Sequence, residues 1–440
     1  METYKTDIEW FKELPVGWSS FRFVDYIDLK HGFQFRDFDF TDEGIKIVKI
    51  TQLNQDRSLD LSDCSFIEAK RLDEFNDILI KEGDILMALT GGTIGKIIRC
   101  AEIKEPLLQN YRVGNFIPFR GLDKGFLFYL LSSQLTLDQI DYYINRNGQP
   151  NIGKENFKRM FFPFPPKPEQ TAISNYLDKK TTTIDKKTAL LQQKIETYKK
   201  LRKAIINKAV TKGLDNKVEL KESDLGFSVP VHWKKVRLKD IGNLYSGLSG
   251  KSGDDFNQYE NPNNKGFIPF TNIANNTYLD KEHLGTVVVG ENENQNAVKK
   301  GDIFFLMSSE GYDDIGKTAV LVDDLKETYL NSFCKGFRIN KTKTNSNFLN
   351  YALLSDFYRK RMIVEGKGFT RINLKMEKVS NFEMNLPTDV KEQRQIAEYL
   401  DQKTATIDKI VENLQRQITT LQHLRKVLIN DAVTGKIKVV

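Results

Sequence analysis

YLDKKTTTID, residues Tyr176 to Asp185, returns as YLDQKTATID from Tyr399 to Asp408 with eight of ten positions unchanged, where chance would give roughly one in twenty per position. The offset is 223 residues and the register holds beyond it. Leu201-Arg202-Lys203 and Ala209-Val210-Thr211 return as Leu424-Arg425-Lys426 and Ala432-Val433-Thr434. This segment is a duplication. Upstream the match is weaker but ordered, the offset drifting from 215 to 223 as loops gain residues. LPVGW (Leu14 to Trp18) answers VPVHW (Val229 to Trp233), and KEGDILMALTGGTIGK (Lys81 to Lys96) answers KKGDIFFLMSSEGYDDIGK (Lys299 to Lys317). GFLFYLLSS (Gly125 to Ser133) answers NFLNYALLS (Asn347 to Ser355), and GQPNI (Gly148 to Ile152) answers GFTRI (Gly368 to Ile372). The chain therefore reads A, h, A′, h′. A length of 440 residues fits this, since single cores stop growing near about 250–300 residues. The expected boundaries are 1–165, 166–213, 214–388 and 389–440. The A copies have diverged far more than the h copies, as a repeated frame carrying two dissimilar reading heads would.

Each h segment follows a Pro-containing, strand-like exit, FFPFPPKPEQ from Phe161 and FEMNLPTDVKEQ from Phe382. Asp389 and Glu392 have capping-box spacing, with Asp expected to accept from the N3 amide and Glu to reach back. The β-branched run Thr181-Thr182-Thr183, flanked by Asp178 and Thr181 and matched by Asp401 and Thr404, predicts a break and a new N-cap. Beyond it, Ile184, Leu191, Ile195, Tyr198, Ile205 and Ala209 in the first copy follow the alternating four-three spacing of a heptad seam. So do Ile407, Val411, Leu414, Ile418, Leu421, Leu428 and Ala432 in the second. Each seam carries an arginine in the same slot, Arg202 and Arg425. A helix of about 29 residues and about 44 Å is expected in each copy. One apolar stripe must be buried. The partner is either the other copy, antiparallel as a pseudo-twofold axis across the helices would give, or each helix's own A domain. A seam in both copies suits mutual pairing better.

Charge separates the copies. Lys167 to Lys212 holds 12 Lys/Arg against 4 Asp/Glu, while Lys391 to Lys436 holds 8 against 6, so the first helix accounts for the whole net charge of +7. Such a run is either a solvated face or a surface for DNA phosphate or an acidic partner. Three well-separated cysteines, Cys64, Cys100 and Cys334, offer neither a disulfide framework nor a metal knuckle. With no signal-peptide h-region and no apolar run of 18 residues, a cytoplasmic protein without a membrane partner is expected.

Enzyme motifs are missing. There is no His-Glu-x-x-His, no Gly-x-Ser-x-Gly, no Asn/Asp-Pro-Pro-Tyr and no glycine-rich cofactor loop. Gly311 to Thr318, GYDDIGKT, matches the P-loop pattern. However, β-forming AVLV follows it, Asp313 and Asp314 would repel phosphate, and the first copy breaks the spacing, so a hairpin tip is expected instead. The histidines His31, His232, His283 and His423 have no metal-ligand spacing. No catalytic, cofactor-binding or metal-ligating residue is assigned.

What remains are polar loops at matched places, rich in groups that read base edges and phosphates. In A these are Thr51, Gln52 and Asn54; Thr90, Thr93 and Lys96; Asn110, Tyr111 and Arg112; and Arg146, Asn147, Gln149, Asn151 and Lys154. In A′ they are Thr271, Asn272 and Asn275; Ser308, Ser309 and Lys317; Asn331 and Lys335; and Lys367, Thr370, Arg371 and Asn373.

The A, h, A′, h′ organisation, the phrases GQPNIGKENFKRMFFPFPPKPEQ and GFTRINLKMEKVSNFEMNLPTDVKEQ, the GDIL…GGTIGK hairpin and the EQxxIxxYLDxKTxxID helices together resemble the specificity subunit of type I restriction-modification systems, a bacterial defence machinery. The resemblance covers essentially the whole chain. It implies an α+β architecture of two pseudo-symmetric mixed α/β target recognition domains separated by an antiparallel coiled coil of two long helices. Each domain would read half of a bipartite site on double-stranded DNA. The helices would set the gap and dock two modification (methyltransferase) subunits, which restriction (translocase-nuclease) subunits would join. S-adenosylmethionine, ATP and Mg²⁺ would belong to those partners, and this chain would be non-catalytic. The competing reading is a coiled-coil scaffold with duplicated peptide-binding domains, which predicts no salt-dependent DNA affinity.

Overall fold

ILMA at Ile85–Ala88 and IFFL at Ile303–Leu306 are unbroken apolar runs, the pattern of a strand covered on both faces. Every residue of both is buried. These strands sit inside matching sheets. A computed structural model of the chain describes every residue except Met1, Gln55, Asn147, Tyr259, Phe369 and Val440. In the first copy a four-stranded antiparallel sheet runs Ile27–His31, Val113–Pro118, Ile85–Ala88, Ile97–Arg99. A three-stranded sheet runs Ser65–Ile67, Ile45–Val48, Leu107–Gln109, its last pair parallel. The second copy repeats both. Its sheets run Gly242–Ser246, Cys334–Ile339, Ile303–Leu306, Thr318–Val320, and Gly285–Val288, Asn264–Ile268, Thr328–Leu330, the last pair again parallel. Identical strand order in two weakly similar stretches confirms that the duplication covers the A domains as well.

Packing divides the chain into two compact units, residues 1–192 with 415–440, and residues 193–414. The division cuts both long helices, α1 (Lys167–Lys212) and α2 (Val390–Val433). In the first unit the core of the first A domain takes Ile173 and Leu177 from the start of α1 and Ile429, Ala432 and Val433 from the end of α2. There Arg425 holds Asp185 through two bonds of 2.9 and 3.1 Å. In the second unit the other core takes Ile396, Ala397 and Leu400 from α2 and Ile206, Ala209 and Val210 from the end of α1, and Arg202 donates to Asp408 at 3.1 Å. The helices are antiparallel in both units. The two ion pairs join the same two repeat positions with the helices exchanged, so the arginine slot seen in both seams is the helix-to-helix clasp.

The apolar stripe has two fates. Ile184, Leu191, Ile195, Ile407, Leu414 and Ile418 are buried along the helices, and Tyr198, Val411 and Leu421 are half-buried there. Toward the C-terminal ends the A domains claim the stripe: Ile205 and Ala209 pack on the second core, Leu428 and Ala432 on the first. The stripe is thus shared between burial along the helices and packing on a domain, but the domain is that of the other copy and not, as the second alternative had it, each helix's own.

The expected break at Thr181-Thr182-Thr183 is absent. α1 runs for 46 residues and α2 for 44, against about 29 expected. Asp178 and Thr181 lie three apart on one helix face and are occupied by the domain. The Tyr129 hydroxyl donates to Asp178 at 2.7 Å and lies 3.1 Å from the Thr181 hydroxyl, while Thr183 donates back to the Lys179 carbonyl at 2.8 Å. Groups that resemble a cap are thus tertiary anchors, and the second copy repeats them with Tyr351, Asp401 and Thr404. The capping box also differs from expectation. Asp389 accepts from the Lys391 amide at 2.8 Å, but Glu392, instead of reaching back, accepts from the Trp233 indole at 3.0 Å. Trp18 and Glu169 form the same bond at 2.8 Å in the first copy. Next to each glutamate, Gln170 and Gln393 accept from the amides of Asp123 and Asn345, both at 2.8 Å. The repeated EQ and YLDxKTxxID phrases therefore record one docking interface written twice.

Burial pushes the Tyr129 and Tyr351 hydroxyls up to about 12, so both remain protonated donors to their aspartates at neutral pH. Tyr129→Phe or Tyr351→Phe is expected to cost about 1–2 kcal/mol, below the full value of a bond to a charged group. Asp178 keeps Arg99 at 2.8 Å and Asp401 keeps Tyr278. Urea unfolding midpoints measure the loss; unchanged midpoints would show that these anchors carry no stability.

Candidate nucleic-acid interface

The hairpin after each central strand organises the site. Gly95 (φ +83°) and Gly316 (φ +67°) reverse the chain in the left-handed region, where a side chain would be strained. A Cβ at either would also press on Leu137 or Met362. The tip lies away from the helix contact, because Arg99, which holds Asp178, pairs with Ile85 at the opposite end of the hairpin. Around the first tip four loops are knitted by backbone hydrogen bonds. Leu89 donates to the Arg112 carbonyl at 2.9 Å, Gly91 to Pro150 at 2.8 Å, Ile152 to Leu89 at 3.0 Å and Asn110 to Val48 at 3.1 Å. The second copy gathers the same loops: Met307 donates to Phe333 at 3.1 Å, Leu374 to Met307 at 2.8 Å and Asn331 to Ile268 at 3.3 Å.

The sequence candidates fall into distinct settings, and Lys154, Thr271, Asn272, Asn275 and Lys335, expected in loops, lie on short helices or a strand. Thr51, Arg146, Gln149, Asn151, Lys154, Thr271, Asn275, Lys367, Thr370, Arg371 and Asn373 are exposed. Asn54, Thr90, Thr93, Lys96, Tyr111, Arg112, Lys317, Asn331 and Lys335 are half-buried, and Gln52, Asn110, Asn272, Ser308 and Ser309 are buried. Asn147 lies outside the described residues. Several polar groups are engaged internally. Gln52 accepts from the Lys49 amide and donates to the Asp63 carbonyl. Asn272 donates to the carbonyls of Asp280 and His283 and accepts from the Asp280 amide. Arg146 is paired with Asp141, Lys154 with Asp28 and Lys317 with Asp314. Gln52 and Asn272 build the loops rather than present an edge outward.

The loop alignment also shifts. Asn151 and Asn373 occupy one position: each bridges the hairpin, at Thr90 and Ser308, and each side chain donates two residues back, to the carbonyls of Gln149 and Arg371, at 3.1 Å. Arg371 therefore corresponds to Gln149, and the pairing of GQPNI with GFTRI moves by two residues. Sequence reasoning also missed exposed aromatics. Phe33 bridges Asn110 and is 45% exposed, and Phe333 in the second cluster is 50% exposed, areas large enough to stack on a base or sugar. The dense aromatics of HGFQFRDFDF (His31 to Phe40) were the available signal for Phe33.

Gly311 to Thr318 has no P-loop geometry. A strand, Thr318–Val320, follows it, and the Lys317 ammonium is turned to Asp314 and the Ala274 carbonyl. Among the described residues no group of three or more His, Cys, Asp or Glu side chains could hold a metal ion, and no helix is long and apolar enough to cross a membrane.

Two copies of one loop-bearing α/β domain, each latched to a pair of antiparallel helices, define a repeated recognition module on a helical frame. The family model of the type I restriction modification DNA specificity domain matches residues 15–197 and 230–420, and the chain belongs to that family. The MjaVIII specificity subunit of Methanocaldococcus jannaschii is 24% identical over 365 residues, covering 82% of this chain and 81% of its own. The EcoKI specificity subunit of Escherichia coli is 22% identical, with 97% and 90% covered. Among solved structures, a chain from work on complex assembly and conformational transition of the type I R-M system superposes with a TM-score of 0.72 at 16% identity, covering 96% of this chain and 99% of its own. The HsdS subunit of Thermoanaerobacter tengcongensis does so at 0.54 and 15%, with 96% and 98% covered. The fold is that of a type I specificity subunit throughout its length.

Proposed function

We propose that this chain selects the DNA sequence on which a type I restriction-modification complex acts, each loop cluster reading one half of a bipartite site. The observation that carries this is the same four-loop cluster built twice, on identical sheets, with different side chains. Half-sites of such an arrangement would lie about one turn of duplex apart, roughly 34 Å, and the helices would act as the spacer. The helical frame would also dock two modification subunits, which restriction subunits would join. In this reading the chain performs no chemistry. Adenine methylation with S-adenosylmethionine belongs to the modification subunits, and ATP and Mg²⁺ are used by partners.

Exchange of residues 1–160 for the corresponding domain of a relative tests the division of labour. The donor must keep the Trp18 indole and Tyr129 hydroxyl that engage α1. Long-read mapping of methylated adenine is expected to show one half-site replaced and the other retained. Replacement of both halves, or of neither, contradicts the assignment of one domain to one half.

A further inference from the structure

Both clusters hold one guanidinium over an aromatic ring at the same junction, yet draw it from different loops. In the first, Arg112 lies 5.3 Å from the centre of the Tyr111 ring and donates to its hydroxyl at 2.7 Å. In the second, Arg371 lies 5.0 Å from the centre of the Phe333 ring. Phe333 holds the position of Arg112, because Asn110 and Asn331 each turn their carboxamide oxygen onto the amide two residues ahead, Arg112 at 3.2 Å and Phe333 at 2.8 Å. Arg371, as shown above, holds the position of Gln149. The arginine–aromatic pair thus recurs although neither of its positions is preserved.

From this pairing we infer that Arg112 and Arg371 are specificity-determining residues, each reading a guanine in the half-site of its own domain. The inference rests on the proposed DNA-reading function and names the base. A guanidinium presents two parallel donors that match O6 and N7 of guanine in the major groove, a geometry a lysine ammonium lacks. A ring beneath it restricts the side chain before binding, so less freedom is lost on contact. In the first cluster Arg146 and Lys154 are each paired with an aspartate, at 2.5 and 2.6 Å. Arg371 is 47% exposed and reaches Glu310 only at 3.9 Å.

The test maps methylated adenine in cells carrying the whole complex, with wild type, Arg112→Lys, Arg371→Lys and Phe333→Leu compared. Each wild-type half-site is expected to contain a required guanine. Arg371→Lys is expected to relax that guanine about ten- to one-hundred-fold in the half-site of the second domain only. Arg112→Lys mirrors it in the other half, and Phe333→Leu gives a smaller loss at the position Arg371 reads. If a lysine variant abolishes methylation, competition binding by that complex between the site and a guanine-substituted site gives the same ratio. A half-site without guanine, or lysine variants as strict as wild type, overturns the inference while leaving DNA reading intact. Absence of sequence-dependent methylation by the wild-type complex overturns both.

Discussion

Seven residues inserted into each long helix, between Asp185 and Arg202 in α1 and between Asp408 and Arg425 in α2, are expected to widen the unspecified gap by about three base pairs and leave both half-sites unchanged. Seven residues add about 10 Å of helix at 1.5 Å each, and about three steps of duplex span the same distance. A heptad returns the apolar stripe to almost the same face, so Ile184 to Ile195 and Ile407 to Ile418 keep their burial and both arginine–aspartate pairs can reform. Insertion of five residues would turn the stripe by about 140° and is expected to impair folding instead. Methylation mapping of the heptad variant decides the matter, and an unchanged gap means that the helices are not the ruler.

Deletion of residues 424–440 is expected to unfold the first domain and spare the second, although the deleted residues follow the second in the chain. Ile429 and Val433 are buried in the first core, and complete burial of such side chains is worth about 1.5–3 kcal/mol each. The loss of roughly 3–6 kcal/mol is comparable with the whole stability of many domains, about 5–15 kcal/mol. Asn430, which accepts from the Leu135 amide at 3.1 Å, and the Arg425–Asp185 pair go with them. The second domain draws the equivalent support from α1, where Ile206 and Val210 fill its core and Asn207 accepts from the Asp356 amide at 2.9 Å. Hydrogen exchange should accordingly lose protection across residues 14–164 and keep it across 228–386. Equal protection of both would show that the end of α2 is dispensable.

The docking interface was legible as repetition before it was legible as chemistry. Glu169, Gln170, Asp178, Thr181 and Asp185 recur at an offset of 223 residues, and between them they bind four different groups: an indole, a backbone amide, a tyrosine hydroxyl shared by Asp178 and Thr181, and an arginine of the other helix. Their local pattern misled in two places. Asp178 and Thr181 resemble a helix start because caps and tertiary anchors use the same short oxygen-bearing side chains, and Glu392 fits a capping box until Trp233 competes for it. The recognition loops were the least legible part. Polar composition marked residues on short helices and strands as well as on loops, because an amide turned inward, as in Asn272, and one presented outward are the same letter.

The amino-acid sequence by itself determined that the chain is a doubled domain with two heptad-bearing helices, because repetition and 3.5-residue periodicity are properties of order along the chain. Only the tertiary structure decided that each domain is closed by the start of one helix and the end of the other, and that the helices run unbroken. It also decided which aromatic supports which arginine. Those choices are made between residues as much as 295 positions apart, as Leu135 and Asn430 are, where burial and hydrogen-bond geometry select among partners that local pattern leaves equivalent.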